Sequence, residues 1–501
     1  ATIVAGVAYP RQELEQAWKR VLFNQFHDIL PGSSIPQVFV DANREWQAVQ
    51  QEGSQILGRS LQALASQICW PEPPTSDSRA IVVFNPLNWS RSAIGRLRLP
   101  EGDWQVYDLA GQLLEGQITE TGEVLFFAEA IPSVGYRVFW LVPGADDRST
   151  SSPKTELIAG KDFVMENRYL RVEVDPTTGD LRSVFDRVQN REVLSAPGNQ
   201  LQAFQDQGQY WDAWNIDPNY ASHPLPPAQL LEINVLSQGP LEQRIRVVRQ
   251  IGRSTFQQDY VLQRHSPLLQ IQTKVDWQEP HVLVKAAFTF AWAAEAATYA
   301  IPCGAIQRPT RPTTPAEQAK WEVPALGWAD LGRGDYGASL LSDYKHGYDS
   351  QPDQLRLSLL RGSTWPDPQA DRGPHCFTYA LYPHAQTWQV AQTVRQSREL
   401  VTPLQVIVTE PQPGAQSAQL TPQGEFLNLG SDNLVLMALK QAEDDTEQWV
   451  IRCYECHGEP GAINLQSDLN LVVGDRLNLL ELPINSENAA LQISPWSITS
   501  W

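Results

Sequence analysis

His27 and Asp28 are the residues of this chain whose chemistry is most suggestive, because together they could hold a cation. They end a predicted helix over residues 12–30, in which apolar residues recur at helical spacing: Leu14, Trp18, Leu22, Phe26 and Ile29. A helix C-terminus carries partial negative charge, Asp28 adds a full one, and a neutral imidazole is a common zinc ligand. One histidine is far short of a complete zinc site, so His27 could equally cap helix carbonyls.

A second group, formed by Cys453, Cys456 and His457, matches the C-x-x-C-H pattern of haem attachment and could also supply half of a zinc site. No second C-x-x-C occurs in the chain, and residues 449–452 are typical of a strand. The competing interpretation is two strand cysteines followed by a turn histidine, without a cofactor.

Two further segments could contact a ligand. Residues 211–217 place two tryptophans among acidic residues, and aromatic faces beside carboxylates suit sugar rings. The alternative is a pair of core tryptophans with aspartates that cap turns. Asp371 and Arg372 could form a structural ion pair, which the residues alone favour, or a clamp on a ligand. The motifs H-E-x-x-H, G-x-x-x-x-G-K and G-x-S-x-G are absent from the sequence.

The composition argues against several classes of protein. The 501 residues include 38 Lys+Arg and 57 Asp+Glu, a formal charge of −19 that would repel nucleic acid and anionic membranes. The most apolar stretch, 286–305, contains Glu295 and Pro302, which a membrane-spanning helix tolerates badly. Five thinly spread cysteines favour reduced thiols and a cytoplasmic protein. The chain begins with Ala and without a signal peptide, so we interpret it as a piece of a longer protein.

The elements that must position these residues begin with a helical region. A Pro-Gly pair at 31–32 ends the first helix, and Ser34 with Gln37 predicts a capping box that opens a second helix. The two helices form an antiparallel hairpin that needs further helices to cover it.

Beyond a Pro-rich linker at 71–78 the hydrophobic period changes to two, as in 269–277, which is typical of antiparallel β-sandwiches. Further linkers are predicted at 144–154 and 410–423. The predicted fold is mainly β with an N-terminal helical bundle segment. Its predicted domains are a helical domain 1–74, a small β-sandwich 78–145, a large β-supersandwich 155–400 and a C-terminal β-domain 401–501.

Long motifs follow one another in a fixed order along the chain. They are residues 17–35, with the core Asn24-Gln25-Phe26-His27-Asp28-Ile29-Leu30-Pro31-Gly32, and then 83–89, 166–172, 275–277 with 283–288, 301–302, 307–310, 355–361 and 367–373. In these motifs nearly the whole chain resembles the α-mannosidases of glycoside hydrolase family 38, in the cytosolic and vacuolar branch shared with bacterial members.

The resemblance implies a retaining exo-mannosidase with an aspartate nucleophile, a second carboxylate as acid and base, and a large supersandwich like galactose mutarotase. The family's zinc ion is held by a His-x-Asp pair, the nucleophile and one histidine of the helical region, which His27 matches. Asp28 matches a neighbouring aspartate that contacts sugar. Arg372 matches, by rough alignment, an arginine that reaches the site. Trp211 and Asp212 lie in a family segment that usually has Asp where this chain has Asn215.

The resemblance also implies what is missing. The family's catalytic α/β domain precedes the helical region, and no H-x-D occurs here. We therefore expect no catalytic residue in this chain, no activity and no zinc binding by the chain alone, and an apolar surface around His27 where the catalytic domain would pack. The expected partners are that domain and a mannose-containing oligosaccharide, and a homo-oligomer is compatible with the sequence. The alternative is a stand-alone carbohydrate-binding module.

Overall fold

The computed structural model describes residues 1–99, 104–144, 163–208, 211–410, 419–445, 447–484 and 491–501. Helices span Thr2–Ala5, Arg11–Phe23, Pro36–Ala65, Pro315–Gln318 and Thr393–Val401, with a short 3₁₀ turn at Tyr220–Ser222. The remaining regular structure is antiparallel sheet, which confirms the predicted fold class. No helix within these ranges is long and apolar enough to cross a membrane.

The helical segment, residues 1–65, is a hairpin in which helix Arg11–Phe23 lies against helix Pro36–Ala65. Ion pairs hold the two helices together: Arg20 contacts Glu45 at 3.3 Å and Glu52 at 3.0 Å. The C-terminal end of the long helix packs on a neighbouring sheet through a cluster that includes Leu64, Ala65, Ile68, Phe84 and Tyr136.

The first helix is shorter than the predicted range 12–30, because it ends at Phe23. The side-chain amide of Asn24 donates to the carbonyl of Arg20 at 2.9 Å, and its backbone N–H donates to the same carbonyl at 3.2 Å. Short polar side chains compete in this way with helix continuation. His27 therefore lies in the turn after the helix rather than in its last turn.

The predicted capping box at Ser34 and Gln37 does not form. Pro36 occupies the first helical position and Ile35 is the N-cap, with no side-chain capping bond. Because proline is favoured at that first position, the helix begins one residue later than a cap at Ser34 would require.

The small sandwich consists of two sheets. One follows the order Gln405–Thr409, Arg79–Asn85, Gly135–Pro143 and Gln423–Glu425, with Trp104–Tyr107 also pairing to Gly135–Pro143. The facing sheet contains Arg91–Arg98, Glu123–Ile131 and Gly116–Ile118. Strands 405–409 and 423–425 fall within the predicted C-terminal domain 401–501, yet they extend this earlier sheet. Apart from Gly144, the predicted linker 144–154 lies outside the described residues, as do residues 411–418 of the linker 410–423.

The large sandwich surrounds the most extensive apolar core of the described chain. Its wide sheet follows the order Gln229–Gln238, Glu242–Ile251, Ser254–Gln263, Leu269–Trp277, Gly373–Ala385, Tyr336–Ser342, Trp328–Gly332, Ala296–Ile301 and Gly304–Pro309. A second sheet contains Gln200–Gln205, Val282–Thr289, Gln354–Arg361, Gly347–Gln351 and Val323–Pro324. A third contains Arg191–Glu192, Leu181–Asp186, Leu170–Val174 and Val164–Glu166. The predicted alternation at 269–277 is observed, because every second residue of that strand is buried.

The C-terminal sandwich is smaller. Strands Leu434–Gln441, Trp449–Glu455 and Ile498–Ser500 form one sheet, and Gly461–Ala462 pairs with Gln492–Ile493. Its core contains Leu427, Leu429, Leu434, Cys453, Ile463 and Trp501.

Candidate functional site

The turn that carries His27 presents this residue to solvent. Backbone N–H groups of Ile29 and Leu30 donate to the carbonyl of Phe26 at 2.8 and 3.0 Å, which shapes the turn. The His27 side chain is 71% exposed, its Nε2 lies 3.4 Å from Oδ2 of Asp28, and its ring contacts the ring of Phe26 at 4.4 Å. The two predicted site residues of this turn are therefore together and accessible.

Large apolar side chains surround this turn and remain exposed. Phe23 is 76% exposed and Leu30 67% exposed, and further exposed apolar residues flank the turn in the sequence: Trp18, Leu22, Phe26, Ile35 and Val40. We call these seven residues the turn surface. Trp18 and Leu22 lie one helical turn apart, so their side chains share a face. Exposed apolar residues on both sides of His27 in the sequence agree with the predicted apolar surface, and a surface of this kind is typical of an interaction site.

The described residues do not complete a metal site by themselves. No group of three or more His, Cys, Asp or Glu side chains comes together anywhere in the described part of the chain. His27 and Asp28 offer two donors at most, whereas structural and catalytic zinc ions take three or four protein ligands. Any zinc ion at this turn needs donors from other residues.

A second exposed surface is built from tryptophans. Trp211, Trp214 and Trp365 are 63, 62 and 51% exposed, and we call them the aromatic loop surface. The rings of Trp211 and Trp365 are 5.3 Å apart, and the N–H of Ala213 donates to the carbonyl of Trp365 at 3.1 Å. The alternative interpretation, a core tryptophan pair, is wrong because both tryptophans of the 211–217 segment face solvent.

Asp212 anchors this surface from below. Its Oδ2 accepts a hydrogen bond of 2.6 Å from the backbone N–H of Thr364, and its Oδ1 lies 3.4 Å from Nη2 of Arg361. Arg361 also pairs with the buried carboxylate of Asp206. Asp206 Oδ1 in turn accepts from the N–H of Asp217 at 2.8 Å. Asp212 thus holds the two loops together, and its contact with sugar stays a prediction.

Arg361 is the important residue that the sequence analysis did not single out. Its guanidinium also donates to the carbonyls of Asp212 and Asn215, so it joins strand 354–361 to the tryptophan segment. Its partners are about 150 positions away in the sequence, and no local spacing reveals such a clamp. The one signal for Arg361 in the sequence is its position at the end of a strand, directly before Gly362.

Arg372 does not form the structural ion pair with Asp371 that the residues alone favour. It is exposed, and no ion pair with Asp371 forms. Within the described residues its guanidinium has no hydrogen-bonding or ionic partner, and its backbone N–H donates to Gln369 at 3.1 Å. It is free to contact a ligand, which stays a prediction.

Titratable groups with shifted pKa values lie close to Arg372. Burial raises the pKa of Asp371 to about 6, although the charges of Lys345 and Arg361 oppose the shift. Burial also lowers the pKa of Lys345 to about 8, and its Nζ lies 4.6 Å from the ring centre of Phe377. His375 has a pKa lowered by burial, and its Nε2 lies 2.7 Å from the carbonyl oxygen of Asp371. The carboxyl, amine and imidazole of this region are groups of the kind that hydrogen-bond sugar hydroxyls, whereas the ring of Phe377 is buried.

The cysteine motif does not form a cofactor site. Cys453 and Cys456 are both buried, and burial raises the pKa of each thiol to about 12. Cys453 packs in the core of the C-terminal sandwich, whereas Cys456 packs in a different cluster with Trp388. The haem and zinc interpretations are therefore wrong, since the two sulfurs point into separate apolar clusters.

The structure does not bring all predicted site residues into one contact network. His27 pairs with Asp28, and Trp211 and Asp212 pack with the loop that leads to Arg372. Among the described residues, no hydrogen bond, ion pair or ring contact joins the turn surface to the aromatic loop surface.

Comparisons with known protein families identify three segments of the chain. Residues 1–64 match the alpha mannosidase middle domain, residues 165–369 match the glycosyl hydrolases family 38 C-terminal domain, and residues 433–501 match the glycosyl hydrolases family 38 C-terminal beta sandwich domain.

Curated relatives match over nearly the whole chain. Alpha-mannosidase 2C1 of Mus musculus and of Homo sapiens are each 30% identical over 513 residues, covering 99% of this chain and 46% of the relative. Alpha-mannosidase G of Dictyostelium discoideum is 27% identical over 492 residues, covering 91% of this chain and 44% of the relative. The chain thus spans about half the length of these relatives.

Solved structures share the fold over the full chain. An alpha-mannosidase from Enterococcus faecalis V583 superposes with a TM-score of 0.83 at 14% identity, covering 100% of this chain and 64% of that one.

Proposed function

We propose that this chain is the C-terminal part of an α-mannosidase. The premise is that the chain belongs to glycosyl hydrolase family 38 and carries its middle and C-terminal domains. The whole enzyme would hydrolyse terminal α-D-mannosyl residues of oligosaccharides with retention of configuration. The observation that carries this proposal is the order of the three matched domains, together with alpha-mannosidase relatives 30% identical over 99% of the chain.

The reaction itself would take place on another domain. Retaining hydrolysis needs a nucleophilic carboxylate and an acid–base carboxylate about 5 Å apart. We assign neither role to this chain and predict that it is inactive alone. The turn surface supports a docked catalytic domain, because exposed Phe23 and Leu30 are of the kind that protein interfaces cover.

His27 would contribute one ligand to a zinc ion that this docked domain completes, with Asp28 beside it contacting sugar. When bound, the zinc ion would orient the hydroxyls of the terminal mannose. This chain would supply the imidazole, the neighbouring carboxylate and the apolar wall that excludes water. Their exposure and their 3.4 Å separation support the assignment.

The aromatic loop surface would bind further sugar units. Trp211 and Trp365 present neighbouring apolar faces, tilted by 49° to each other, and Arg372 is free to donate hydrogen bonds to hydroxyls. Asp212 would position these groups through Thr364 and Arg361. We further propose a cytoplasmic location, supported by five cysteines of which no two form a disulfide.

The test is an assay of aryl α-mannoside hydrolysis by the longer protein, carrying either His27→Ala or the matched control His223→Ala. His223 is an exposed histidine of the large sandwich, remote in sequence from the turn. We expect His27→Ala to lower kcat/KM at least about tenfold, the typical loss on removal of a metal-site partner. His223→Ala should leave it unchanged, and bound zinc measured by mass spectrometry should fall with His27→Ala alone.

Normal activity and zinc content in the His27→Ala protein would contradict the assigned ligand. Hydrolysis by this chain alone, above the level of its own His27→Ala variant, would contradict the proposal that the catalytic residues lie on another domain. A product formed first as the β-anomer would contradict retention.

The exposed tryptophans favour a second candidate, a carbohydrate-binding module. In that case this chain alone would bind manno-oligosaccharides through Trp211 and Trp365, and His27 would be irrelevant. Calorimetry on the isolated chain distinguishes the two functions. Binding that is lost with Trp365→Ala but unaffected by His27→Ala, in a longer protein without hydrolase activity, would favour the module.

A further inference from the structure

A cavity of about 670 Å³ lies at the junction of the small sandwich, the large sandwich and helix Thr393–Val401. Strand Arg91–Arg98 forms one wall, and the outer face of the wide sheet forms another. Val188, which is 61% exposed, lies at the rim, so the cavity opens to solvent. Its volume is within the range of small-molecule sites, which often lie between domains.

Arg91 lines this cavity and lacks a counter-ion. The residue is only 6% exposed, and its Nε and Nη2 are buried without any hydrogen-bond partner. No carboxylate of the described chain lies within ion-pair distance of its guanidinium. Burial lowers the pKa of Arg91 to about 10, although Glu399 opposes the shift, so the group stays charged at neutral pH. An unpaired buried charge is costly and calls for an explanation.

The other charged groups of the cavity are already engaged. Glu399 accepts from Nε1 of Trp89 at 2.8 Å, and Asp186 accepts from the hydroxyl of Tyr336 at 2.8 Å. Arg96, also in the wall, pairs with Glu242 at 2.6 Å. Arg91 is therefore the charge in the described lining that has no direct partner.

The remaining lining offers groups that suit hydroxyls. The side chains of Gln270 and Gln396 line the cavity, and no hydrogen bond from a described residue engages their amide groups, whereas Thr378, also in the lining, is bonded to Asp343. Phe127 adds an apolar face, with its ring 4.1 Å from that of His265. Such a lining, mixed polar and aromatic around one cation, fits a small polar anion with hydroxyls.

We propose that this junction cavity binds a small hydroxylated monocarboxylate, a sugar acid, with its carboxylate on Arg91 and its hydroxyls on Gln270 and Gln396. Nη1 is not among the enclosed atoms of the Arg91 guanidinium, so it is the group placed to donate a charge-assisted hydrogen bond to the carboxylate. The lining carboxyls of Glu399 and Asp186 disfavour a doubly charged phosphate, because each additional negative charge is repelled at short range. The site is independent of the proposed hydrolase role, since it shares no residue with either candidate surface.

The test is calorimetric titration of the whole chain with sodium D-glucuronate, with D-glucose and inorganic phosphate as competing probes. We expect saturable binding of glucuronate, with weaker or undetectable binding of glucose and phosphate. Arg91→Gln keeps a polar side chain but removes the charge, and it should weaken glucuronate binding about tenfold or more. Arg98→Gln is the matched control, since Arg98 lies on the same strand with its side chain 85% exposed and outside the cavity.

A second variant keeps the proposal falsifiable if Arg91→Gln disturbs folding. Gln396→Trp should fill the cavity from the helix and abolish binding, while circular dichroism stays that of the unaltered chain. Absence of glucuronate binding, equal binding of glucose, tighter binding of phosphate, or full binding by either variant would each overturn the proposal.

Discussion

The helical segment and the large sandwich each contain side chains in environments that they normally avoid, but of opposite kinds. The helical segment leaves apolar groups in water, with Phe23 76% exposed. The large sandwich buries charges, such as Lys285 with 0% exposure. Lys285 finds two carboxylate partners within the sandwich, whereas nothing in the described chain covers the apolar side chains of the turn surface. The difference teaches that the core of the sandwich neutralises this charge by itself, whereas the helical segment is shaped for a partner.

The largest expected effect tests the buried charge of the large sandwich. Lys285 Nζ lies 2.6 Å from Asp349 Oδ2 and also contacts Glu322. Burial alone would lower the pKa of Lys285, but these two carboxylates raise it above its ordinary value. Lys285→Met should lower the free energy of unfolding by about 3–5 kcal/mol, because Glu322 loses its cation and Asp349 keeps only Arg356. Urea denaturation measures this loss.

The matched control is Lys274→Met, on an outward-facing position of strand Leu269–Trp277. It should leave the unfolding midpoint unchanged. Equal stability of the Lys285→Met protein and the unaltered protein would show that the buried network is not what holds this part of the sandwich.

A smaller effect is expected at Asp212, where the ion network reaches the loops. Asp212→Ala should cost about 1–3 kcal/mol, since Thr364 N–H loses its acceptor while Arg361 keeps Asp206. Limited proteolysis should cut the 211–217 segment faster. Asp217→Ala, which removes only a turn bond to Asn219, is the control. Unchanged proteolysis would mean that Trp211 and Trp365 position the loop without Asp212.

Asp371 should produce a modest and pH-dependent effect, because this buried carboxyl lacks a direct counter-ion. Its pKa of about 6 exceeds the value of roughly 4 in an unfolded chain, so the folded protein binds more protons between those values. Stability from this group is therefore present at low pH and lost as pH rises from about 4 through 6. Neighbouring Lys345, Arg361, Asp367 and His375 are present in both the unaltered protein and the Asp371→Asn variant, so the comparison isolates Asp371.

Thermal unfolding across that pH window tests this expectation. Asp371→Asn should reduce the decline in the melting temperature and stabilise the chain at pH 7 relative to the unaltered protein. A decline of the same size in both proteins would assign the pH dependence to the neighbouring groups instead.

The smallest effect on stability is expected at the turn surface. Phe23→Ser combined with Leu30→Ser should leave the unfolding midpoint nearly unchanged, since these side chains bury little surface. The same variant should bind less of a fluorescent hydrophobic dye and self-associate less in sedimentation experiments. A large loss of stability would mean that the two side chains support the hairpin rather than an interface.

The sequence predicted the fold class well because hydrophobic periodicity is a local property. Alternation in 269–277 and helical spacing before residue 24 both correspond to elements of the structure. The prediction of the helix boundaries was wrong at two residues: Asn24 ends the first helix early, and Pro36 shifts the start of the second helix. Both residues are visible in the sequence, but the sequence does not show how strongly each one opposes the predicted helix boundary.

The candidate sites were predictable in part. The residue types and positions of His27 and Asp28 indicated a candidate site at this turn. Their proposed roles, zinc ligand and sugar contact, came from the resemblance to family 38 and not from the spacing of the residues. The Arg361 clamp and the unpaired Arg91 depend on contacts between segments far apart in the chain. Such contacts follow from tertiary packing, which no local pattern encodes.

Strand Gln405–Thr409 has a consequence for the order in which the protein is built. It pairs with Arg79–Asn85, so the small sandwich lacks one of its outer strands until the entire large sandwich has left the ribosome. During that interval the ladder of Arg79–Asn85 stays open along one side, ready to recruit a foreign strand. Slow synthesis of the intervening chain should therefore favour aggregation of nascent protein, and a molecular chaperone should be most useful at that stage.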